Sequence, residues 1–135
     1  NKGVIKDKIK ATKAKHVLLM VDSCFAGALT RGGAVTQSIE TLSSKNILRY
    51  KMKKTRLVIT SGGNEPVVDS DGGNHSYFAS KFLDILKNND NVLQSLALFQ
   101  GISRYVINNA QQTPGRTVIH GTGDDGGDFL FFPKT

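Results

Sequence analysis

Two short runs of apolar residues, each followed by polar ones, stand out in the pattern of the chain. Residues 16–22 read HVLLMVD and residues 56–61 read RLVITS. A continuous apolar run of this length predicts a strand that is buried on both faces, as in a parallel sheet. A third run, residues 128–132 with the sequence DFLFF, predicts one further strand.

Apolar residues at helical spacing predict three helices. Residues 4–15 form a short helix with a basic outer face. Residues 75–88 form the second, with Ser76 or Asn74 as its cap. Residues 92–109 form the third. The alternation of strands and helices predicts an α/β fold, in which functional residues follow the carboxyl ends of parallel strands.

Length and composition limit the class of protein. With 135 residues, of which 39% are hydrophobic and 21% charged, the chain predicts one globular domain over residues 1–135. No apolar run approaches the roughly 18 residues of a membrane span, and residues 1–15 lack the apolar segment of a signal peptide. The single cysteine excludes an intramolecular disulfide and a multi-cysteine metal site. A free thiol without an export signal favours a cytoplasmic location.

The net charge of +7 is unevenly distributed along the chain. Residues 1–54 carry 12 Lys/Arg and 3 Asp/Glu, whereas residues 55–135 carry 6 and 8. No aromatic residues lie among the lysines of residues 1–15, so no platform for stacking nucleic-acid bases is visible. We therefore expect neither nucleic acid nor membrane as a partner. Nucleic-acid binding depends on charge alone and ranks last among the functions considered.

Cys24, the only thiol, follows the first predicted strand in the sequence DSCFAG. A cysteine in such a place acts as a nucleophile when a base or a local positive field lowers its pKa. The alternative is a small buried hydrophobic residue, which is what most free cysteines are. The position of Cys24 alone leaves both interpretations open.

The segment HVLLMVDSCFAG resembles the nucleophile segment of the caspase-like cysteine peptidases, the clan of caspases, metacaspases and bacterial caspase-like proteins. Three further segments resemble this family in the same order. LVITSGGNEP at residues 57–66 is similar to the next strand and substrate loop, and HSYF at residues 75–78 to the start of the next helix. GGDFLF at residues 126–131 is similar to the final strand. The resemblance covers nearly all of residues 1–135.

The resemblance implies a fold and an activity. The fold would be the caspase-like three-layer sandwich, with a central, mostly parallel sheet and helices on both faces, and this partial catalytic domain would supply about half of the sheet. The activity would be that of a thiol protease acting on a peptide or protein substrate. Cys24 would attack the scissile carbonyl and form a thioester, and its backbone N–H would lie in the oxyanion hole.

The resemblance also implies a preference for basic substrates. Caspases have a Gln two residues before the nucleophile, where this chain has Asp22. In metacaspase-like members, an Asp at this place and a second acid after the next strand bind a P1 Arg or Lys. Glu65 is our candidate for the second acid, with Asp69 behind it, and Ser61 and Gly62 would lie along the substrate backbone. The alternatives are a turn or helix-cap role for Asp22 and an exposed loop carboxylate for Glu65.

The catalytic histidine of the family lies about 50 residues before the cysteine, whereas 23 residues precede Cys24. We therefore expect this histidine in an upstream part of the same domain, which would be a partner of this chain. His16 lies on the first predicted strand, on the order of 25 Å from Cys24, too far to be the base. His75 opens a helix near the correct edge of the sheet and is the best internal substitute. His120, followed by Gly121, lies where the family has no catalytic residue.

Residues 28–55 show only patchy helical spacing, and we interpret them as a long connection with weak structure. In caspase-like enzymes, autocleavage commonly falls in the connection after the nucleophile strand. A peptidase that prefers basic P1 residues could therefore process its own chain here, the alternative being a solvated basic loop. The candidate cleavage positions are Arg31, Lys45, Arg49, Lys51, Lys53 and Lys54.

A second function remains open beside the peptidase. This chain has no histidine at the position expected from the family. It could therefore be a catalytically silent caspase-like domain that acts as a regulatory or interaction module.

No organic cofactor is expected, because no glycine loop has the Walker or dinucleotide-binding spacing. Some metacaspases need calcium, and hard oxygen ligands stand in two glycine-rich loops. They do not form a recognisable calcium-loop pattern, so calcium stays unassigned. These ligands are Asp69, Asp71, Asp124 and Asp125.

Overall fold

Helices and short strands alternate along the chain in a mixed α/β arrangement. The computed structural model describes residues 2–22, 43–62, 75–110 and 112–134. Within these ranges the elements follow in the order α1 (Lys2–Ala11), β1 (His16–Val21), α2 (Ser44–Met52), β2 (Thr55–Thr60), α3 (Tyr77–Lys87), β3 (Leu93–Gln94), α4 (Ser95–Ala110), β4 (Gly115–Val118) and β5 (Leu130–Phe131).

The main sheet has three strands in the order β1-β2-β4. β1 runs parallel to β2, with Met20 beside Ile59, and β4 runs antiparallel to β2 on its other side. The sheet is therefore mixed, whereas the sequence analysis expects a mostly parallel one. The difference comes from β4, whose sequence GRTV is too short for a strand pattern to be recognised.

β1 and β2 differ in burial although both are apolar runs. All six positions of β2 are buried, which confirms the prediction for this strand. All six positions of β1 are only half-buried, so the prediction that it is buried on both faces is wrong for the described residues. Among the strands of the described ranges, β1 pairs with β2 alone, which leaves its other edge without a neighbour.

The hydrophobic core lies between one face of this sheet and the helices α3 and α4. Leu18 and Met20 of β1 pack from the sheet side against a cluster of buried residues. The residues that α4 contributes recur every four positions, which is the stripe of an amphipathic helix. The cluster consists of Ile59 from β2, Phe78 from α3, and Leu98, Ile102, Val106 and Ala110 from α4.

The helices differ from the predicted ones mainly at their ends. α1 stops at Ala11, before the expected end at residue 15. α2 is a regular helix inside residues 28–55, which corrects the expectation of weak structure there, and Ser43 Oγ caps it by accepting from Asn46 N at 3.2 Å. α3 is capped by Ser76, one of the two expected cap residues; the other, Asn74, lies outside the described residues.

The predicted strand at residues 128–132 forms, but it is shorter and belongs to a second sheet. β5 pairs antiparallel with β3, and Leu93 lies beside Phe131. A buried contact directs it there: Ser95 Oγ donates to Asp128 Oδ1, and Ser95 N donates to the Phe129 carbonyl at 3.1 Å. Because Ser95 is the first residue of α4, the last strand is attached to the start of that helix.

Arg116 and Asp128 form a buried ion pair beside this contact. Arg116 Nη2 lies 3.6 Å from Asp128 Oδ1, and both side chains are 2% exposed. Burial raises the pKa of the Asp128 carboxyl and lowers the pKa of the Arg116 guanidinium, and the attraction between the two opposes both shifts. Removing either partner would therefore leave an uncompensated charge in the interior.

We expect Asp128→Ala to lower the free energy of unfolding by about 3–5 kcal/mol, because Arg116 would stay buried without its carboxylate. Urea unfolding at pH 7 measures the loss. Asp125→Ala is the matched control: Asp125 is exposed in the same loop, and its replacement should change the stability by no more than about 0.5 kcal/mol. Equal effects of the two substitutions would contradict the importance of the buried pair.

Candidate functional site

The parallel pairing of β1 and β2 brings the ends of both strands to one edge of the sheet. Val21 lies beside Thr60, and the pairing continues beyond the strands because Ser61 N donates to the Val21 carbonyl at 2.9 Å. Asp22 and Gly62 are the next residues on the two chains. Three of the predicted site residues, Asp22, Ser61 and Gly62, therefore lie at this edge, which we call the carboxyl edge.

Asp22 is exposed at the carboxyl edge, and the start of α3 holds its carboxylate. Ser76 Oγ donates to Asp22 Oδ2 in a short hydrogen bond. The same hydroxyl accepts from Ala79 N at 3.0 Å and so caps α3. The amino end of α3, where the helix carries its positive partial charge, therefore faces the carboxylate.

Ser61 and Gly62 are buried, and Gln112 lies behind them. A Cβ placed on Gly62 would lie 3.5 Å from Gln112 Cβ. Gln112 is 2% exposed and precedes β4, which begins at the carboxyl edge because Gly115 lies beside Thr60. Sequence reasoning did not select Gln112, because a glutamine in a loop carries no signal for this position.

Several predicted residues lie outside the described ranges. These are the nucleophile Cys24, the second acid Glu65, the residue behind it, Asp69, the calcium candidate Asp71 and the cleavage candidate Arg31. Their roles stay predictions.

The three histidines are divided between the two edges of the sheet. His16 begins β1 at the opposite edge, which we call the amino edge, and its ring contacts Thr55 Oγ1 at 2.8 Å and the Lys51 carbonyl at 3.0 Å. His120 also lies there, because Ile119 N donates to the carbonyl of Arg56 near the start of β2. His75 precedes Ser76 and is thus the histidine at the carboxyl edge.

The amino edge is held by polar side chains that bind backbone atoms. The Arg56 guanidinium donates to the carbonyls of Ala14 and Lys15, each at 2.8 Å. Asp124 accepts from Arg56 N at 2.8 Å and from Gly126 N at 3.2 Å. Its two carboxylate oxygens therefore connect the start of β2 with the loop that contains Asp124. Asp124, a candidate calcium ligand, thus has a structural role here. In the described part of the chain, no three His, Cys, Asp or Glu side chains are grouped as metal ligands.

Two cavities among the described residues lie away from the carboxyl edge. One, of about 330 Å³, is bordered at the amino edge by His16, Lys15, Lys51 and Phe132, among others. The other, of about 300 Å³, lies between α3 and α4 beside Lys81, Arg104 and Tyr105. Neither contains a residue that the sequence analysis assigns to substrate binding.

The chain was compared with protein-family models, with curated proteins and with solved structures, and none of the three comparisons gave a match. Over the described residues, no helix has both the length and the apolar character to cross a membrane. A functional proposal for this chain therefore depends on its own residues and their arrangement.

Two glycines at opposite edges of the sheet test this geometry. A Cβ on Gly127 would overlap the Lys53 carbonyl oxygen and lie 2.5 Å from Thr55 Oγ1, whereas one on Gly62 makes ordinary contacts. We expect Gly127→Ala to destabilise the fold by at least about 1–3 kcal/mol through overpacking. Gly62→Ala should stay within about 1 kcal/mol of the wild type. Thermal unfolding measures both, and a larger loss for Gly62→Ala would contradict the arrangement.

Proposed function

We propose that this chain is the nucleophile-bearing part of a caspase-like cysteine endopeptidase that cleaves after Arg or Lys. The observation that carries the proposal is the carboxyl edge: the pairing of β1 with β2 brings Asp22, Ser61 and Gly62 to the same end of the sheet, and in the sequence Asp22 stands two residues before Cys24. These are the residues for which the family resemblance implies substrate binding and catalysis.

The proposed chemistry is acyl transfer through Cys24. Its thiolate attacks the carbonyl carbon of the scissile peptide bond, and backbone N–H groups stabilise the resulting oxyanion. A histidine from the upstream part of the domain takes the thiol proton and delivers it to the departing amine. Water then hydrolyses the thioester and restores the thiol. No metal or organic cofactor takes part in these steps, and calcium stays unassigned.

Asp22 supplies the proposed preference for a basic P1 residue. An exposed carboxylate after β1 attracts a guanidinium or ammonium group and repels a substrate carboxylate. Ser61 and Gly62 continue β2 at the same edge, where an extended substrate backbone would run. Glu65 is the proposed second acid, and it lies outside the described ranges.

The partial exposure of β1 supports the proposal that the domain includes an upstream part. HVLLMV is as apolar as a central strand, yet all six of its positions keep partial exposure. Within the described ranges, its outer edge has no paired strand. An upstream part that pairs with this edge would bury β1 and bring the catalytic histidine towards the carboxyl edge. This arrangement agrees with the proposed fold, a caspase-like sandwich in which this chain supplies about half of the sheet.

A catalytically silent caspase-like module is the second candidate function. The division of the histidines favours it, because His16 and His120 lie at the amino edge, away from the carboxyl edge. His75 is the one histidine at the carboxyl edge, where it precedes the Ser76 cap of α3. The two candidates differ in whether the complete domain hydrolyses a peptide bond.

Peptide hydrolysis by the domain extended to include its upstream part tests the proposal. We expect cleavage after Arg and Lys that is lost in Cys24→Ala. Asp22→Asn should lower kcat/KM for an Arg substrate by at least about tenfold, equivalent to about 1.4 kcal/mol. The 135-residue chain alone should show weak or no activity.

Asp90→Asn is the matched control for Asp22→Asn. Asp90 is exposed and follows the far end of α3, so its charge lies away from the carboxyl edge. This variant should cleave as the wild type does. Hydrolysis by the isolated chain at the rate of the complete domain would contradict the proposed role of the upstream part.

The structure of α2 narrows the proposed autoprocessing sites. Peptidases bind their substrates as extended chains, whereas Lys45, Arg49 and Lys51 lie inside a capped helix. The Lys54 carbonyl accepts from Asp125 N and Gly127 N, which attaches the chain after the helix to the amino edge. We therefore expect cleavage at Arg31 in preference to the positions within α2.

Mass spectrometry of the active, full-length form identifies the cleavage site. Arg31→Gln should prevent the cut, and Arg49→Gln, a matched change within α2, should leave it unchanged. Cleavage after Lys45 or Arg49 before any cut at Arg31 would contradict the protection by α2.

A further inference from the structure

Ser76 makes two hydrogen bonds with one hydroxyl group. Its oxygen accepts from Ala79 N at 3.0 Å, which is the ordinary task of an N-cap serine. Its hydrogen is donated to Asp22 Oδ2, across 54 positions of sequence. The second bond contributes nothing to the capping of α3, so capping alone does not explain it.

Ser43 provides a comparison within the same chain. It caps α2 in the same manner, with its Oγ accepting from Asn46 N at 3.2 Å. Among the described residues, the Ser43 hydroxyl donates to no carboxylate. The two serines thus share the cap and differ in the contact with Asp22.

The contact with Ser76 restricts the orientation of the Asp22 carboxylate. The torsion that turns a carboxylate is broad, so a carboxylate without a partner samples many orientations. The hydroxyl binds Oδ2, and Asp22 is an exposed residue, so Oδ1 is the oxygen that this hydrogen bond leaves for a ligand. A cationic side chain that arrives there meets an oxygen that is already oriented and needs less ordering on binding.

We propose that Ser76 is a positioning residue for substrate specificity: it orients the Asp22 carboxylate for a guanidinium or ammonium group of the P1 side chain. This inference rests on the proposed function, because it assumes that Asp22 receives the P1 residue. It adds a specificity determinant from the start of α3, the helix that follows β2 in the chain.

The test separates the hydrogen bond to Asp22 from the helix cap. Glycine at an N-cap costs little helix stability, so Ser76→Gly removes the hydroxyl donor while the helix start is largely kept. Ser43→Gly is the matched control at the cap of α2. Ser76→Thr keeps a hydroxyl that can both cap α3 and donate to Asp22. Asp22→Asn removes the charge itself.

The first measurement uses Nα-acetyl-arginine amide as the probe and NMR shifts of the backbone amides of the domain extended to include its upstream part as the readout. We expect Ser76→Gly to weaken binding by about tenfold, as for the loss of a hydrogen bond to a charged group. Ser76→Thr and Ser43→Gly should bind as the wild type does. Nα-acetyl-glutamine amide, which lacks the charge, should bind weakly to every variant.

The second measurement uses the complete domain and its kinetics. Ser76→Gly should raise KM for an Arg substrate by about tenfold with little change in kcat, because the lost interaction serves binding. A purely structural role would instead reduce the activity towards all substrates, or lower the unfolding temperature without changing KM.

The outcomes distinguish this inference from the proposed function. If Asp22→Asn weakens binding of the probe and Ser76→Gly does not, the role of Ser76 is wrong and the function of Asp22 stands. If neither substitution changes saturable binding, or if the wild type does not bind the probe, both proposals are wrong. If Ser76→Gly and Ser43→Gly weaken binding of the probe equally, Ser76 acts only as a helix cap and the inference is wrong.

Discussion

The parallel pairing of β1 with β2 is the constraint on which the rest of the structure depends. It places Val21 beside Thr60, and it continues past the strands through the hydrogen bond from Ser61 N to the Val21 carbonyl. Two segments that are distant in sequence therefore end at the same edge. Because β2 is also paired with β4 and wholly buried, this edge is fixed on a rigid strand, which is where a site needs its positioning residues.

The two ends of the sheet have opposite characters. At the amino edge, Arg56, His16 and Asp124 bind backbone atoms and close the structure. At the carboxyl edge, the polar groups are an exposed carboxylate, a helix N-terminus and a serine–glycine pair. Side chains that bind the backbone hold a fold together, whereas the exposed carboxylate of Asp22 is accessible to a cationic group. The carboxyl edge is therefore the end of the sheet that suits a binding site.

The sequence predicted the elements that have a strong local pattern, and it failed where distant contacts decide the structure. β2, α3 and the Ser76 cap follow from apolar runs and capping chemistry within a few residues. The sequence does not predict β4, because its pairing with β2 stabilises a segment too short to show a pattern. β1 stays half-buried because, within the described ranges, no strand pairs with its outer edge. Asp22, Ser61 and Gly62 were selected from the sequence, but the contact of Asp22 with Ser76 could not be, since only the fold brings them together.

Covalent trapping of Cys24 tests the central claim most directly. The complete domain is incubated with a peptidyl chloromethyl ketone that ends in Arg, and in parallel with one that ends in Asp, and the modified residue is identified by mass spectrometry. A caspase-like peptidase with Asp22 in its specificity pocket is expected to form the adduct on Cys24 with the Arg reagent and much more slowly with the Asp reagent. Absence of an adduct on Cys24, or equal rates with both reagents, would contradict the account.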